Sequence, residues 1–261
     1  GPGTYETQWW AENQPAVRRY APELTDYLCF GRMEIGENFF FGGEMNMLPT
    51  ANRPIGDLTT YSEGKWAVFP HAKRQLKSVP SLDPHSQAHQ VMTTGMVTVP
   101  KVIPRKAGIK ALNHHTIGAT LVEFDADGDL FCRQITAAAD GSFYDLQWRV
   151  AGGKVTKHTG VDALVMGDLH TRKLNERNFK ATMQMITELR AGRAVAHDIF
   201  DNEARNHHHV HDNAYSYEMA YRDRESVYDE VKQVAQLLAL INNLVPVTVV
   251  ESNHDIALER Y

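Results

Sequence analysis

The chain has 261 residues, 43% of them hydrophobic and 23% charged, with a formal net charge of −5. That balance supports the core of one large or two modest domains, and the lack of any apolar run of about eighteen residues excludes a membrane-spanning helix. Cys29 and Cys132 stand more than a hundred residues apart, which excludes a disulfide framework or a paired-thiolate zinc site and predicts a reducing, intracellular setting.

Gly1-Pro2-Gly3 reads as a processing scar rather than a native start. The first sixty residues carry aromatic bulk in Trp9, Trp10, Tyr20, Tyr27 and Phe39-Phe40-Phe41, but Gly31, Gly36, Gly42, Gly43, Pro49 and Pro54 cut it into short pieces. From Tyr61 to Pro104, five prolines among repeated Thr and Val predict extended segments and ordered loops, so few helices are expected before residue 160.

Charge is unevenly placed. Residues 161–261 hold 11 Lys+Arg against 16 Asp+Glu, whereas residues 1–160 hold 16 of each. Between Lys65 and Lys110 eight bases face a single acid, Asp83. Lys and Arg in such a run neutralise phosphates and release counterions, so Lys73, Arg74, Lys77, Arg105, Lys106 and Lys110 are candidate DNA-binding residues. The competing readings are a solvated surface, or partners for the acidic C-terminal half. The stretch is poor in aromatics, which argues against base stacking.

From residue 117 the pattern sharpens. Thr120–Phe124 and Leu130–Ile135 flank Asp125-Ala126-Asp127-Gly128-Asp129, predicting a hairpin with an acidic turn. The Gly and distal Glu of a calcium loop are not in place, so the turn reads as solvated. A second pair of strands is expected over Phe143–Val150 and Lys154–Lys157. His114 and His115 read as structural.

Three short apolar runs in the last hundred residues each end in a polar signature: Gly167-Asp168-Leu169-His170, His197-Asp198-Ile199-Phe200-Asp201, and Ser252-Asn253-His254-Asp255. Between them lie two helical periods, one with Phe179, Met183, Ile186 and Leu189, the other with Val227, Val231, Val234, Leu238 and Ile241 spaced 4, 3, 4 and 3. Strand, helix, strand, helix, strand predicts a parallel sheet, whose ligands collect at the carboxyl ends of the strands. Asp, His and Asn without thiolate suit Mn²⁺, Fe or Zn²⁺ in an open site. Asp168 and His170, two apart, leave the same face of an extended segment. Asp198 on the neighbouring strand end could lie between two ions, and Asn253 could hold the second through its amide oxygen.

Asp-x-His, Asp-x-x-Asp and Asn-His-Asp in this order resemble the calcineurin-like metallophosphoesterase superfamily, over roughly residues 161–261. The resemblance implies a two-metal phosphoesterase in which Asp168 and His170 bind the first ion, Asp198 bridges and Asn253 binds the second. It also implies that His254 contacts the phosphate or protonates the leaving oxygen, oriented by Asp255. The sequence departs from the family at His197 and Ser252, where the family has Gly, and the chain ends before the strands that supply its later histidines. A partner chain, a homo-oligomer, a C-terminal part beyond this sequence, or the cluster His207-His208-His209 with His211 could supply them. Asp201 and Arg205 are read as supporting residues rather than ligands.

The expectation is therefore an α/β protein. A β-rich, irregular N-terminal region over residues 1–116 carries the basic stretch and helps form the substrate groove. A metallophosphoesterase-like βαβαβ core over residues 117–261 follows, incomplete at its C-terminus. The expected activity is that of a metal-dependent hydrolase, a DNA nuclease using two divalent ions, Mn²⁺ first with Mg²⁺, Fe and Zn²⁺ as alternatives. The long N-terminal extension and basic stretch are similar to phage-encoded, DNA-degrading members, which implies a cytoplasmic protein of the host cell and DNA as partner. A phosphatase or nucleotidase acting on a small substrate, and a scaffold that has kept the fold without catalysis, are the alternatives.

Overall fold

The computed structural model describes residues 22–27, 31–45, 47–80, 88–100, 104–158, 160–206, 208, 209 and 211–259. Trp9, Trp10, Tyr20, Cys29, Asp83, Lys101 and His207 lie outside them. The chain divides into two compact units, one of residues 1–145 with 150–155, the other of residues 146–149 with 156–261. The division falls well past the expected boundary at residue 116. The hairpin following that boundary belongs to the N-terminal unit, because its apolar face is used there.

The N-terminal unit is built on a five-stranded sheet of order β1-β2-β3-β5-β4. Its strands are β1 (Arg32–Ile35), β2 (Phe39–Gly42), β3 (Trp66–Phe69), β4 (Leu76–Val79) and β5 (His89–Thr93). β1–β2 and β4–β5 pair antiparallel, whereas β2–β3 and β3–β5 pair parallel. Side chains alternate across a strand, and both faces are covered. Phe40, Ala67, Phe69, Val79 and Val91 turn to one face, packed with Ile55, Leu58 and Tyr61. Phe39, Trp66, Val68 and Met92 turn to the other, packed with Leu130, Val122 and Cys132. Leu58 and Tyr61 bound the short helix α1 (Leu58–Tyr61), and α2 (Lys106–Leu112) is the other α-helix described before residue 160.

Leu130, Val122 and Cys132 come from the hairpin β6 (Gly118–Phe124) and β7 (Leu130–Thr136), antiparallel as expected, from Gly118 opposite Thr136 to Phe124 opposite Leu130. At its turn the Asp125 Oδ1 accepts the amides of Asp127 (3.0 Å) and Asp129 (2.9 Å), so this carboxylate serves the turn itself. The Cys132 thiol is half-buried and pushed up to about 11 by desolvation. The strands β8 (Phe143–Asp145), β9 (Trp148–Ala151) and β10 (Lys154–Lys157) form a small sheet through which the division between the units runs.

The C-terminal unit holds a parallel sheet, β11 (Leu164–Val165), β12 (Ala194–Ala196) and β13 (Val247–Val249), in sequence order. The helices α3 (Glu176–Glu188), α4 (Asn213–Tyr221) and α5 (Val227–Asn242) connect the strands. Each helix opens on a side chain that accepts otherwise orphaned amides: Asn175 from Asn178, Asp212 from Ala214 and Tyr215, Ser226 from Asp229. Ile186 of α3 and Leu237 and Ile241 of α5 pack with Met166, Ala194, Ala196, Ile199 and Phe200. The expected α5 stripe is corrected at one position. Val231 is exposed, and the buried position one residue earlier is taken by Glu230, 1% exposed. No helix among the described residues is long and apolar enough to cross a membrane.

Candidate metal centre

All three polar signatures follow the carboxyl ends of the parallel strands, where strand amides and carbonyls run out of ladder partners. The β11–β12 pairing nevertheless continues past the strands. Leu169 N donates to His197 O (3.4 Å), His170 N to Asp198 O (2.7 Å) and Thr171 N to Ile199 O (3.2 Å). These bonds register the Asp168–His170 loop against the His197–Asp198 loop. His170, Asp198 and Asn202 all adopt left-handed backbone, with φ of 40°, 47° and 50°. Non-glycine residues are held there only where their surroundings fix them, and such residues gather at functional sites.

The third loop is tied to the second through Asp255. Its Oδ1 accepts the amides of Ile199 (2.9 Å) and Phe200 (3.0 Å), and its Oδ2 accepts the Ser252 hydroxyl (2.9 Å). Ser252 Oγ in turn accepts the Asp255 amide at 3.2 Å. The role expected for Asp255, orienting His254, is corrected accordingly. Its carboxylate anchors the loop that carries Asp198, and His254 Nδ1 faces Asp201 Oδ1 at 3.3 Å instead.

Two groups of ligand-type side chains converge. In the first, Asp201 Oδ1 receives His170 Nδ1 at 2.7 Å and His254 Nδ1 at 3.3 Å, the two rings standing edge to face at 5.0 Å. A separation of 2.7 Å is a hydrogen bond, not two ligands of one ion, so Asp201 acts as the carboxylate that orients the imidazoles. Lys173 Nζ, 3.4 Å from Asp201 Oδ2, balances its charge. With Nδ1 committed, His170 Nε2 is left toward Asp168 Oδ2 at 4.0 Å.

In the second group, His197 Nδ1 lies 3.4 Å from Asp168 Oδ1 and 3.3 Å from Asp198 Oδ2. Ligand atoms about 2.1 Å from one ion, set between a right angle and a tetrahedral angle, stand roughly 3.0–3.5 Å apart. Asp198 Oδ1 is buried with no hydrogen-bond partner among the described residues. A buried carboxylate oxygen left in this way is costly unless something outside the protein satisfies it. Ser252 above all, with the more distant His254 and His170, holds the Asp198 carboxyl below its ordinary value against the opposing effect of burial. This donor set, two carboxylates and imidazole nitrogen, fits a borderline-hard divalent cation such as Mn²⁺.

Of the residues expected to form the site, the structure thus brings together Asp168, His170, Asp198 and His254. Asn253 is exposed beside His254. His197, which in the sequence stands only as a departure from a glycine, and Asp201 prove central. The histidine cluster divides: His209 stacks on Tyr215 at 4.1 Å, while His208 and His211 are exposed.

The loop after Asp198 is held from behind. Glu230 accepts the Asp201 amide (3.1 Å) and the Glu203 amide (3.0 Å). The Arg172 guanidinium lies 3.7 Å from Glu230 Oε2 and 3.6 Å from Glu203 Oε2, and it donates to Gln233 Oε1 and Arg224 O, both at 3.0 Å. Burial pushes the Glu230 carboxyl above its ordinary value despite Arg172.

In the N-terminal unit, half of the candidate DNA-binding residues have intramolecular duties. Lys73 donates to Asn52 O, Lys77 to Gly56 O at 3.1 Å, and Arg74 to Thr136 and Gln134. Arg105, Lys106 and Lys110, at or on α2, are exposed. His115 Nε2 meets Pro49 O at 3.3 Å, a structural contact as expected.

No family model and no solved structure matches the chain. Protein A1 of Escherichia phage T5 is 31% identical over 256 residues, 93% of this chain. The chain is phage-related. It spans 46% of the length of that relative.

Proposed function

We propose that the chain carries the site of a metal-dependent phosphodiesterase whose substrate is DNA, of the metallophosphoesterase type that the order of its motifs resembles. One observation carries this reading: Asp168 and Asp198 converge on adjacent parallel strand ends, Asp198 with a buried carboxylate oxygen that no group among the described residues satisfies, beside an imidazole pair next to Asp201. Asp168 and Asp198 would hold the ions, with His170 Nε2 reaching the same space. Two divalent cations bound there would supply Lewis acidity toward the phosphoryl oxygens and a nucleophile available near neutral pH.

The chain's own residues do the rest. Asp201 Oδ1 lies 3.3 Å from Nδ1 of His254 and orients the ring, so that in its doubly protonated form Nε2 would give its proton to the leaving oxygen or stabilise charge on the phosphate. Asp255 fixes the backbone on which Asp198 sits, so the carboxylate that would hold metal is in place before substrate arrives. DNA as substrate rests on the motif resemblance and on the exposed bases Arg105, Lys106 and Lys110, and the similarity to a phage protein is in keeping with the host cytoplasm as the place of action.

A phosphatase or nucleotidase is the second reading. It is favoured by the intramolecular bonds of Lys73, Arg74 and Lys77, which take half of the cationic residues out of a free track. Hydrolysis of duplex DNA, a chromogenic phosphodiester and a chromogenic phosphomonoester, each with Mn²⁺, Mg²⁺ or chelator, tests the choice. Metal-dependent cutting of DNA in preference to the monoester is expected. Preference for the monoester would transfer the site to small substrates.

A further inference from the structure

We infer that His197 is itself a ligand of the metal centre, supplying through Nδ1 an imidazole from within the β12 strand end. The inference rests on the metal reading above and extends it to a residue that no part of that reading requires.

The ring's other nitrogen fixes the tautomer. His197 Nε2 lies 3.0 Å from the carbonyl oxygen of Met166. A carbonyl only accepts, so Nε2 carries the hydrogen, and Nδ1 of the neutral ring carries the lone pair. That lone pair faces two carboxylate oxygens, Asp168 Oδ1 at 3.4 Å and Asp198 Oδ2 at 3.3 Å. In this tautomer three electron-rich atoms converge. A proton on Nδ1 lies along one direction and meets one oxygen, whereas a cation at the centre of the three satisfies all of them at once.

The surroundings fit a ligand. Metal-bound histidines ordinarily donate their second N–H to a backbone carbonyl or carboxylate, which fixes tautomer and ring plane, and Met166 accepts that bond here. Met166 itself is 4% exposed and belongs to the core, so the carbonyl that sets the ring is on rigid backbone. The ring also bridges the strands that carry the two aspartates, with Asp168 following β11 and Asp198 following β12. The arrangement provides one imidazole within this chain where the resemblance would draw nitrogen ligands from later strands.

The test is Mn²⁺ binding by the whole chain, measured by calorimetry and by equilibrium dialysis with metal analysis. Wild type is compared with His197→Phe, which keeps a ring but no nitrogen, and with His197→Gln, which keeps a donor for the Met166 carbonyl. Asp198→Ala serves as reference, and thermal unfolding in chelator establishes that each variant is folded. The expected result is tight binding by wild type and a loss of affinity of about tenfold or more in both His197 variants. Wild-type affinity retained within about threefold by the folded Gln variant, while Asp198→Ala loses it, would overturn the inference and leave the metal reading standing. Wild type that takes up no Mn²⁺ would overturn both.

Discussion

Glu230 is the most deeply buried carboxylate at the site, and its removal has a calculable cost. Glu230→Ala leaves the amides of Asp201 and Glu203 without an acceptor and takes from the Arg172 guanidinium, whose side chain is 4% exposed, one of its two neighbouring carboxylates. Hydrogen bonds to a charged group contribute about 1.5–3 kcal/mol each, and breaking a buried ion pair from one side costs about 3–5 kcal/mol. These effects overlap because they share one carboxylate, so a loss of about 3–5 kcal/mol is expected for the C-terminal unit. Urea unfolding followed by far-ultraviolet circular dichroism, which reports mainly on α3 to α5, measures it. Hydrogen exchange over residues 198–205 should accelerate in parallel. A loss below about 1 kcal/mol with unchanged exchange would refute the claim that Glu230 holds this loop.

The same residue gives a pH test. Its carboxyl is raised in the folded state, chiefly by burial, so the folded chain binds that proton more tightly than the unfolded chain does. The resulting stability is fully present below the ordinary glutamate value and is lost as pH rises through the folded one. The stability of wild type relative to Glu230→Gln should therefore fall as pH rises from about 4. A rise over that range would contradict the stated environment.

Further expectations are simpler to read. Asp255→Ala should lower stability by about 2–4 kcal/mol in urea unfolding, since two amides and the Ser252 hydroxyl lose one acceptor group; a change near zero would remove its anchoring role. In the N-terminal unit, Gly118→Ala should lower the melting temperature, because the new Cβ would lie well inside van der Waals contact of the Ile135 carbonyl oxygen; an unchanged melting temperature would contradict that close approach. Arg105, Lys106 and Lys110 replaced together by Ser should weaken DNA binding and reduce its salt dependence, by roughly one in slope for each phosphate no longer neutralised. An unchanged slope would place the DNA-binding surface elsewhere.

Much of the C-terminal unit is legible in the sequence, because short apolar runs and helical periods both point to one parallel sheet. The hairpin from Gly118 to Thr136 is legible for the same reason, its two apolar runs being adjacent in sequence. The five-stranded sheet is not. Its parallel pairs join Phe39 to Trp66 and Ala67 to Val91 across proline- and glycine-rich stretches, and nothing local encodes such pairing. At the site, motif order points to Asp168, His170, Asp198 and His254 but is silent on how side chains share hydrogen bonds. Asp201 and His197 acquire their importance from residues about thirty positions away. Glu230 is hidden because a glutamate on an amphipathic helix reads as solvent-facing, and only the backbone amides of the facing loop explain its burial.

The most direct test of a metal-dependent nuclease is cleavage of linear and circular duplex DNA by the whole chain with Mn²⁺, by wild type, Asp198→Ala and His254→Ala. Cutting that requires Mn²⁺, stops with chelator, is abolished in Asp198→Ala and falls by about 10²–10⁴ in His254→Ala is the predicted result. Cutting that survives chelator or the loss of Asp198, or folded wild-type protein inert with every divalent ion, would contradict a metal-dependent nuclease at these strand ends.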